Sequence, residues 1–221
     1  MHAVVMGGSG LVGRHLLQEL SRARGVRVTA IARRRHDVPS GVQLRVIDAA
    51  RGLDVPPCDA GFCALGTTIA KAGSQAAFRA VDHGLVLEFA NACKAMGATQ
   101  FHVVSAAGAD PGSRVFYSRV KGEMERDVRS VGFDSAYACR PSILAGDRAE
   151  RRRGERLGLA LARVLGPVLP ASVRAAPAKD VAQAMVRNAL QPLPGWQVVT
   201  NAQITGKARA PAASANLVAR S

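Results

Sequence analysis

The sequence predicts an α/β protein, a doubly wound parallel sheet with a small C-terminal cap. Short apolar runs recur along the chain, amphipathic helical stretches separate them, and the first run ends in a glycine-rich turn. Such alternation implies right-handed strand–helix–strand units, with helices on both faces of the sheet.

The first strand is His2-Ala3-Val4-Val5-Met6, closed by Gly7-Gly8-Ser9-Gly10. A helix follows, with Gly13, Leu16, Leu17 and Leu20 on one face at helical spacing. Val26 to Ala32 and Val42 to Ile47 read as the second and third strands. Gly61 to Leu65, ended by Gly66, has the continuous apolar character of a strand buried on both faces. Leu85, Phe89, Ala92 and Met96 mark a helix over Val81–Met96, with Gly97 as its stop. Phe101 to Ser105 is another buried strand. A helix from about Arg114 to Val131 leads to a strand over Ser135–Cys139, closed by Arg140-Pro141. Beyond Pro141 the pattern loosens into a basic helix over Arg151–Leu165, a helix over Lys179–Leu190 and a strand over Trp196–Thr200. One domain over 1–204 is expected, with about 141–204 as a substrate-side cap and 205–221 as a flexible tail.

Hydrophobic residues make up 48% of the chain, too many and too evenly spread for a disordered protein. No apolar run is long enough to span a bilayer, so no integral membrane association is expected. The start of the chain has no signal-peptide pattern, and a cytoplasmic location is expected. The four cysteines form no C-x-x-C pair and have no histidine at metal spacing, so no metal site is expected. The net charge of +14 comes mostly from 25 arginines. With 4% aromatic residues and no basic reading helix, nucleic acid is not an expected partner. Arg33-Arg34-Arg35 and the stretch Arg148 to Arg156 are the local clusters that rise above this background.

The glycine pattern Gly7-x-x-Gly10-x-x-Gly13 lies between an apolar strand and an amphipathic helix, the context in which it binds a dinucleotide. The glycines permit a tight turn and close approach to a pyrophosphate, which the helix N-terminus holds with its free N–H groups and dipole. Ser9, Leu11 and Val12 share that turn and first helical residues. NAD sites place an acid about 20 residues further on, at the end of the second strand. Arg33 stands there instead. A guanidinium binds a 2′-phosphate bidentately, so NADP(H) is expected over NAD(H).

Tyr117 and Lys121 are four residues apart on one helix and share a face. A free phenol titrates near 10, and an adjacent ammonium with a cationic nicotinamide favours the phenolate. Such a tyrosine transfers a proton near neutral pH. Ser105, ending the preceding strand, stands where it could hydrogen-bond a substrate carbonyl.

These features resemble the short-chain dehydrogenase/reductase superfamily in its atypical branch, close to the small Tat-interacting oxidoreductase proteins. The resemblance rests on Gly7 to Gly13, Ala64-Leu65-Gly66-Thr67-Thr68, Val104 to Asp110, Tyr117 to Glu123, and Arg140-Pro141-Ser142-Ile143-Leu144, and covers about 2–204. It implies a Rossmann fold with catalytic roles for Ser105, Tyr117 and Lys121. Cofactor contacts would come from Gly7, Gly10, Gly13, Arg33, Gly66 and Lys121, with Leu65 and Thr67 lining the adenine-ribose side. Backbone after Pro141 would meet the nicotinamide. Where many members carry Val-Asn, this chain has Val81-Asp82.

The expected activity is NADP(H)-dependent hydride transfer to or from a small carbonyl or alcohol substrate, by a monomer or homodimer. The alternative is an NADPH-binding regulatory or redox-sensing protein. The basic stretch Asp147 to Arg156 reads as a lid, with Leu157 and Leu161 facing the substrate. Its acids Glu150 and Glu155 weaken a membrane-surface role.

Overall fold

The computed structural model describes residues 1–47, 52–142, 144–145 and 175–206. Its main sheet has seven strands, all paired in parallel, in the order β3-β2-β1-β4-β5-β6-β9. They are β1 (His2–Met6), β2 (Arg27–Ala32), β3 (Val42–Val46), β4 (Ala60–Cys63), β5 (Gln100–Val104), β6 (Ser135–Arg140) and β9 (Gly195–Thr200). A separate short parallel pair joins β7 (Leu144–Ala145) to β8 (Ala176–Pro177). The helices are α1 (Leu11–Arg22), α2 (Ile69–Ala72), α3 (Gln75–Arg79), α4 (Val86–Ala95), α5 (Phe116–Ser130), α6 (Ala178–Leu190) and α7 (Asn201–Ile204). The order makes this a doubly wound α/β fold of Rossmann type, as the strand–helix alternation predicts.

A parallel sheet needs cover on both faces, and two apolar clusters supply it. On one face Leu16, Leu17 and Leu20 of α1 and Val181 and Met185 of α6 pack with Val5, Ala30 and Phe62. On the other, Val86 and Phe89 of α4 and Met124 and Val128 of α5 pack with Val4, Phe101 and Val103. Full burial of a leucine or phenylalanine side chain contributes roughly 1.5–3 kcal/mol, so the amphipathic faces account for the docking of the helices.

Two segments differ from the sequence expectation. The helix expected over Val81–Met96 begins earlier, at α3, where Ser74 caps the first turn by accepting the Ala77 N–H at 3.0 Å. It then passes through a π-helical turn, Ala80–Leu85, before α4. A π turn inserts an extra residue and turns the following side chains to a new direction. Here it carries Asp82 to the inside.

The second difference concerns 141–204. α6 lies against α1, and β9 pairs with β6 through Tyr137↔Gln197 and Cys139↔Val199. The described part of the expected cap therefore completes the sheet and its helical layer. Ala182, Ala184 and Ala189 are buried on α6, and their small side chains let it approach the neighbouring elements closely. The basic helix expected over 151–165, and the lid reading attached to it, lie outside the described residues, as does the tail from 207.

Thr29 and His102 are polar residues of the strands that have no exposed surface. His102 is fully buried, stacked on Phe62 at 4.7 Å between ring centroids and on Tyr137 at 4.9 Å. The three rings are register partners on adjacent strands. Burial pushes the His102 pKa down to about 3, so its imidazole is neutral in the folded protein at neutral pH.

Candidate cofactor and proton-transfer site

The site lies at the C-terminal ends of the strands, where the strand order reverses between β1 and β4. This is where open α/β sheets bind ligands. After β1, Gly7 takes a left-handed φ of 90°. A Cβ at Gly7 would stand 2.6 Å from the Ala64 carbonyl carbon, so the turn lies directly on the segment after β4. At Gly13 a Cβ would fall 2.0 Å from the Gly7 carbonyl oxygen. That spacing forces glycine at the point where α1 meets the turn. The Gly10 N–H donates to Gly7 O at 3.0 Å, and Arg14 N–H to Gly10 O at 3.0 Å, closing the turn and starting the helix.

The first turn of α1 has neither a side-chain cap nor an acidic residue. Its leading N–H groups have no intrahelical partner and point toward the cleft, an arrangement that stabilises an anion by roughly 0.3–1 kcal/mol from the helix dipole alone. Ser9 and Gly10 are exposed, Leu11 is half-buried, and Val12 and Gly13 are buried. Arg33, Arg34 and Arg35 are exposed just beyond β2. His36 follows them and reaches back to the turn, its Cε1 3.5 Å from where a Gly8 Cβ would be. His36 Nε2 is buried with no hydrogen-bond partner among the described residues. The glycine cradle, the uncapped helix end and this orphaned nitrogen together fit a dinucleotide.

On the other side of the crevice, Leu65 and Thr67 are half-buried and Gly66 is exposed. The Thr67 N–H donates to Asp82 Oδ2 at 2.9 Å. Asp82 Oδ1 lies 2.8 Å from Lys121 Nζ, with both side chains buried. Lys121 Nζ also approaches Val104 O at 3.4 Å. Burial by itself lowers the Lys121 pKa; the Asp82 carboxylate outweighs it, with help from Tyr117, and the net shift is upward. Removing one partner of such a buried pair typically costs about 3–5 kcal/mol.

Tyr117, one helical turn before Lys121, is 37% exposed at the mouth of the crevice. Its ring packs on Phe78 at 5.5 Å between centroids. Gly122, beside Lys121, brings α5 into backbone contact with the loop after β5, since a Cβ there would lie 2.1 Å from Pro111 N. Pro141 is buried at the end of β6, and its carbonyl accepts the Ala107 N–H at 2.9 Å.

Ser105 is placed differently from the expectation that it donates to a substrate carbonyl. It is buried, and its hydroxyl donates instead to Glu125 Oε1 on α5. Glu125 is held in turn by Arg140, whose Nε and Nη2 donate at 2.9 and 2.6 Å. The side chain of Ser105 therefore ties β5 to α5 and β6. Sequence reading missed Asp82 as a partner of Lys121, along with Glu125, His36 and Gly122. The sequence signals for them were the aspartate after Val81 and, for Gly122, its place in the Tyr117 to Glu123 stretch.

A family profile described as NAD(P)H-binding matches residues 7–192. The protein HTATIP2 of Rattus norvegicus is 38% identical over 200 residues, covering 85% of this chain and 81% of that protein. The protein FMP52-1, mitochondrial, of Scheffersomyces stipitis is 36% identical over 157 residues, covering 67% of this chain and 69% of its own length. Among solved structures, MoeE5 in complex with UDP-glucose and NAD superposes with a TM-score of 0.68 at 18% identity, over 90% of this chain and 75% of that one. The human epimerase family protein SDR39U1 with NADPH gives 0.63 at 18% identity, over 92% and 77%. These structures share the fold. Fold, glycine turn and the Tyr117–Lys121 helix define a nucleotide-binding α/β protein of the dehydrogenase/reductase type. The chain belongs to the NAD(P)H-binding family, within the atypical short-chain dehydrogenases/reductases.

Among the described residues no helix is long and apolar enough to cross a membrane. Nor does any group of three or more His, Cys, Asp or Glu among them stand where it could hold a metal ion.

Proposed function

We propose that this protein is an NADP(H)-dependent oxidoreductase acting on a small carbonyl or alcohol. The observation that carries the reading is Tyr117, exposed at the crevice mouth one helical turn from the buried Lys121. A bound nicotinamide would supply the hydride chemistry at the substrate carbon. Gly7, Ser9, Gly10, Leu11, Val12 and Gly13 would cradle the pyrophosphate, with the free N–H groups of the first turn of α1 donating to it and the Gly10 N–H kept by Gly7 O. Leu65, Gly66 and Thr67 line the adenine-ribose side, and backbone at Pro141 borders the nicotinamide. Lys121 would hold the nicotinamide ribose, and Tyr117 would give or take the proton at the substrate oxygen. Ser105, bonded to Glu125, fixes the end of β5 against α5. Structural neighbours are described with NADPH and with NAD. The preference for NADP(H) therefore rests on Arg33 where an NAD site carries an acid.

A second reading, an NADPH-responsive regulator with little turnover, draws support from the Ser105 hydroxyl bound to Glu125. One experiment separates the two. NADPH and NADH are titrated by fluorescence, and turnover is then measured on a panel of aldehydes, ketones and quinones. NADPH binding at least tenfold tighter, with turnover, supports the enzyme. Tight NADPH binding without turnover across the panel supports the regulator.

A further inference from the structure

Lys121 can favour a tyrosinate only so far as its charge is felt, and a carboxylate lies directly on that charge. Asp82 is fully buried and meets Lys121 Nζ at 2.8 Å. Its other oxygen is fixed by the Thr67 N–H at 2.9 Å, and the π-helical turn aims it inward. A matched pair acts on its surroundings as a dipole, whose field is much weaker than that of a lone ammonium.

We propose that Asp82 is a positioning residue that screens Lys121, weakening the pull of the lysine's charge on the Tyr117 hydroxyl that serves as proton donor in carbonyl reduction. This rests on the oxidoreductase reading. Reduction adds a hydride to the carbonyl carbon, supplied by the reduced nicotinamide, and a proton to the carbonyl oxygen. Tyr117 Oη supplies that proton and is left as phenolate until solvent reprotonates it. The reverse reaction needs the phenolate at the outset, which an unscreened lysine would favour.

The groups facing Lys121 are Asp82 from the π-helical turn, Tyr117 from its own helix and Cys63 from β4. Burial pushes the Cys63 thiol up to about 12, so it is neutral under working conditions. Across the contact with the α3 end and the π turn, Arg79 is paired with Glu123, and Asp127 with both His83 and Arg126. Arg119, next to Tyr117 along α5, donates to Ser113 O at 2.9 Å and lies over the Phe116 ring. Asp82 is the carboxylate in contact with the Lys121 ammonium.

The test is an ultraviolet titration of tyrosinate in the full chain without cofactor, so it does not depend on turnover. The chain has two tyrosines. Tyr137 is buried, with its hydroxyl accepting the Leu193 N–H at 2.6 Å. Tyr117→Phe supplies the Tyr137 background. Asp82→Asn retains a carbonyl for the Thr67 N–H and unmasks Lys121. The Tyr117 midpoint should fall by about one pH unit or more. The double variant Asp82→Asn with Lys121→Met replaces the pair by neutral groups of similar size, which folds tolerate better than half a pair. Its midpoint should stay within about half a unit of the wild type. An unchanged midpoint in Asp82→Asn overturns the proposal. So does a rise of about one unit in the double variant, which would show Lys121 acting unscreened. Where a turned-over substrate is found, the acidic limb of the kcat–pH profile for alcohol oxidation should move down by about one pH unit in Asp82→Asn. If Tyr117 titrates as expected but no carbonyl is reduced, the screening stands and the oxidoreductase reading falls.

Discussion

Acid should destabilise this protein through a buried imidazole. His102 is fully buried between Phe62 and Tyr137, with its pKa pushed down to about 3. In the unfolded chain the same group titrates near 6.5. Between those values the unfolded chain binds a proton that the folded chain excludes. Stability from this group is thus fully present above about pH 6.5, falls as the pH drops, and is wholly lost below about pH 3. A difference of roughly 3.5 units at 1.36 kcal/mol each gives a total near 5 kcal/mol, about 3 of which is lost by about pH 4.5. His102→Phe keeps a ring in the stack and removes the titration. Urea unfolding, followed by the fluorescence of the single tryptophan, Trp196, measures both proteins at about pH 7 and about pH 4.5. The variant's stability relative to wild type should rise by about 3 kcal/mol on acidification. His2 is also lowered by burial, but it is common to both proteins and cancels in the comparison. A relative stability constant to within about 0.5 kcal/mol over that range would refute the argument.

Three further outcomes are expected. Arg33→Asp should reduce or invert a preference for NADPH over NADH of at least about tenfold, read by fluorescence titration; equal affinities in the wild type remove Arg33 from the choice. Tyr117→Phe should lower kcat about 10²-fold or more on any active substrate while NADPH affinity holds, and full activity would take Tyr117 out of the mechanism. Gly13→Ala puts a methyl where Gly7 O already stands, 2.0 Å away. It should cost about 1–3 kcal/mol of stability and weaken cofactor binding, and a thermal midpoint and affinity equal to wild type would contradict the packing described.

What could be read in the sequence was local. The strand ending in Gly7, the helix from Leu11 and the Tyr117–Lys121 pair each fall within a few residues, and helical or strand periodicity resolves them. The contacts that were missed join residues far apart in the chain, such as Ser105 with Glu125 and Asp82 with Lys121. Their pairing depends on how α5 and the π turn pack, and a π insertion changes the side-chain direction that a regular helical count assigns. The same holds for α6 and β9. Their periodicity was visible, but their attachment to α1 and β6 is tertiary.

The contact of Gly122 with Pro111 has a mechanical consequence. With no side chain between helix and loop, nothing compressible separates the two backbones, and the segment after β5 and the start of α5 behave as one stiff bracket. The phenol of Tyr117 is mounted on that bracket. A residue inserted or deleted between Ala106 and Ser113 would therefore be transmitted to the Tyr117 hydroxyl instead of being absorbed locally. On the oxidoreductase reading, substrate range is better altered from the opposite wall of the crevice, where reshaping leaves the Tyr117 hydroxyl in place.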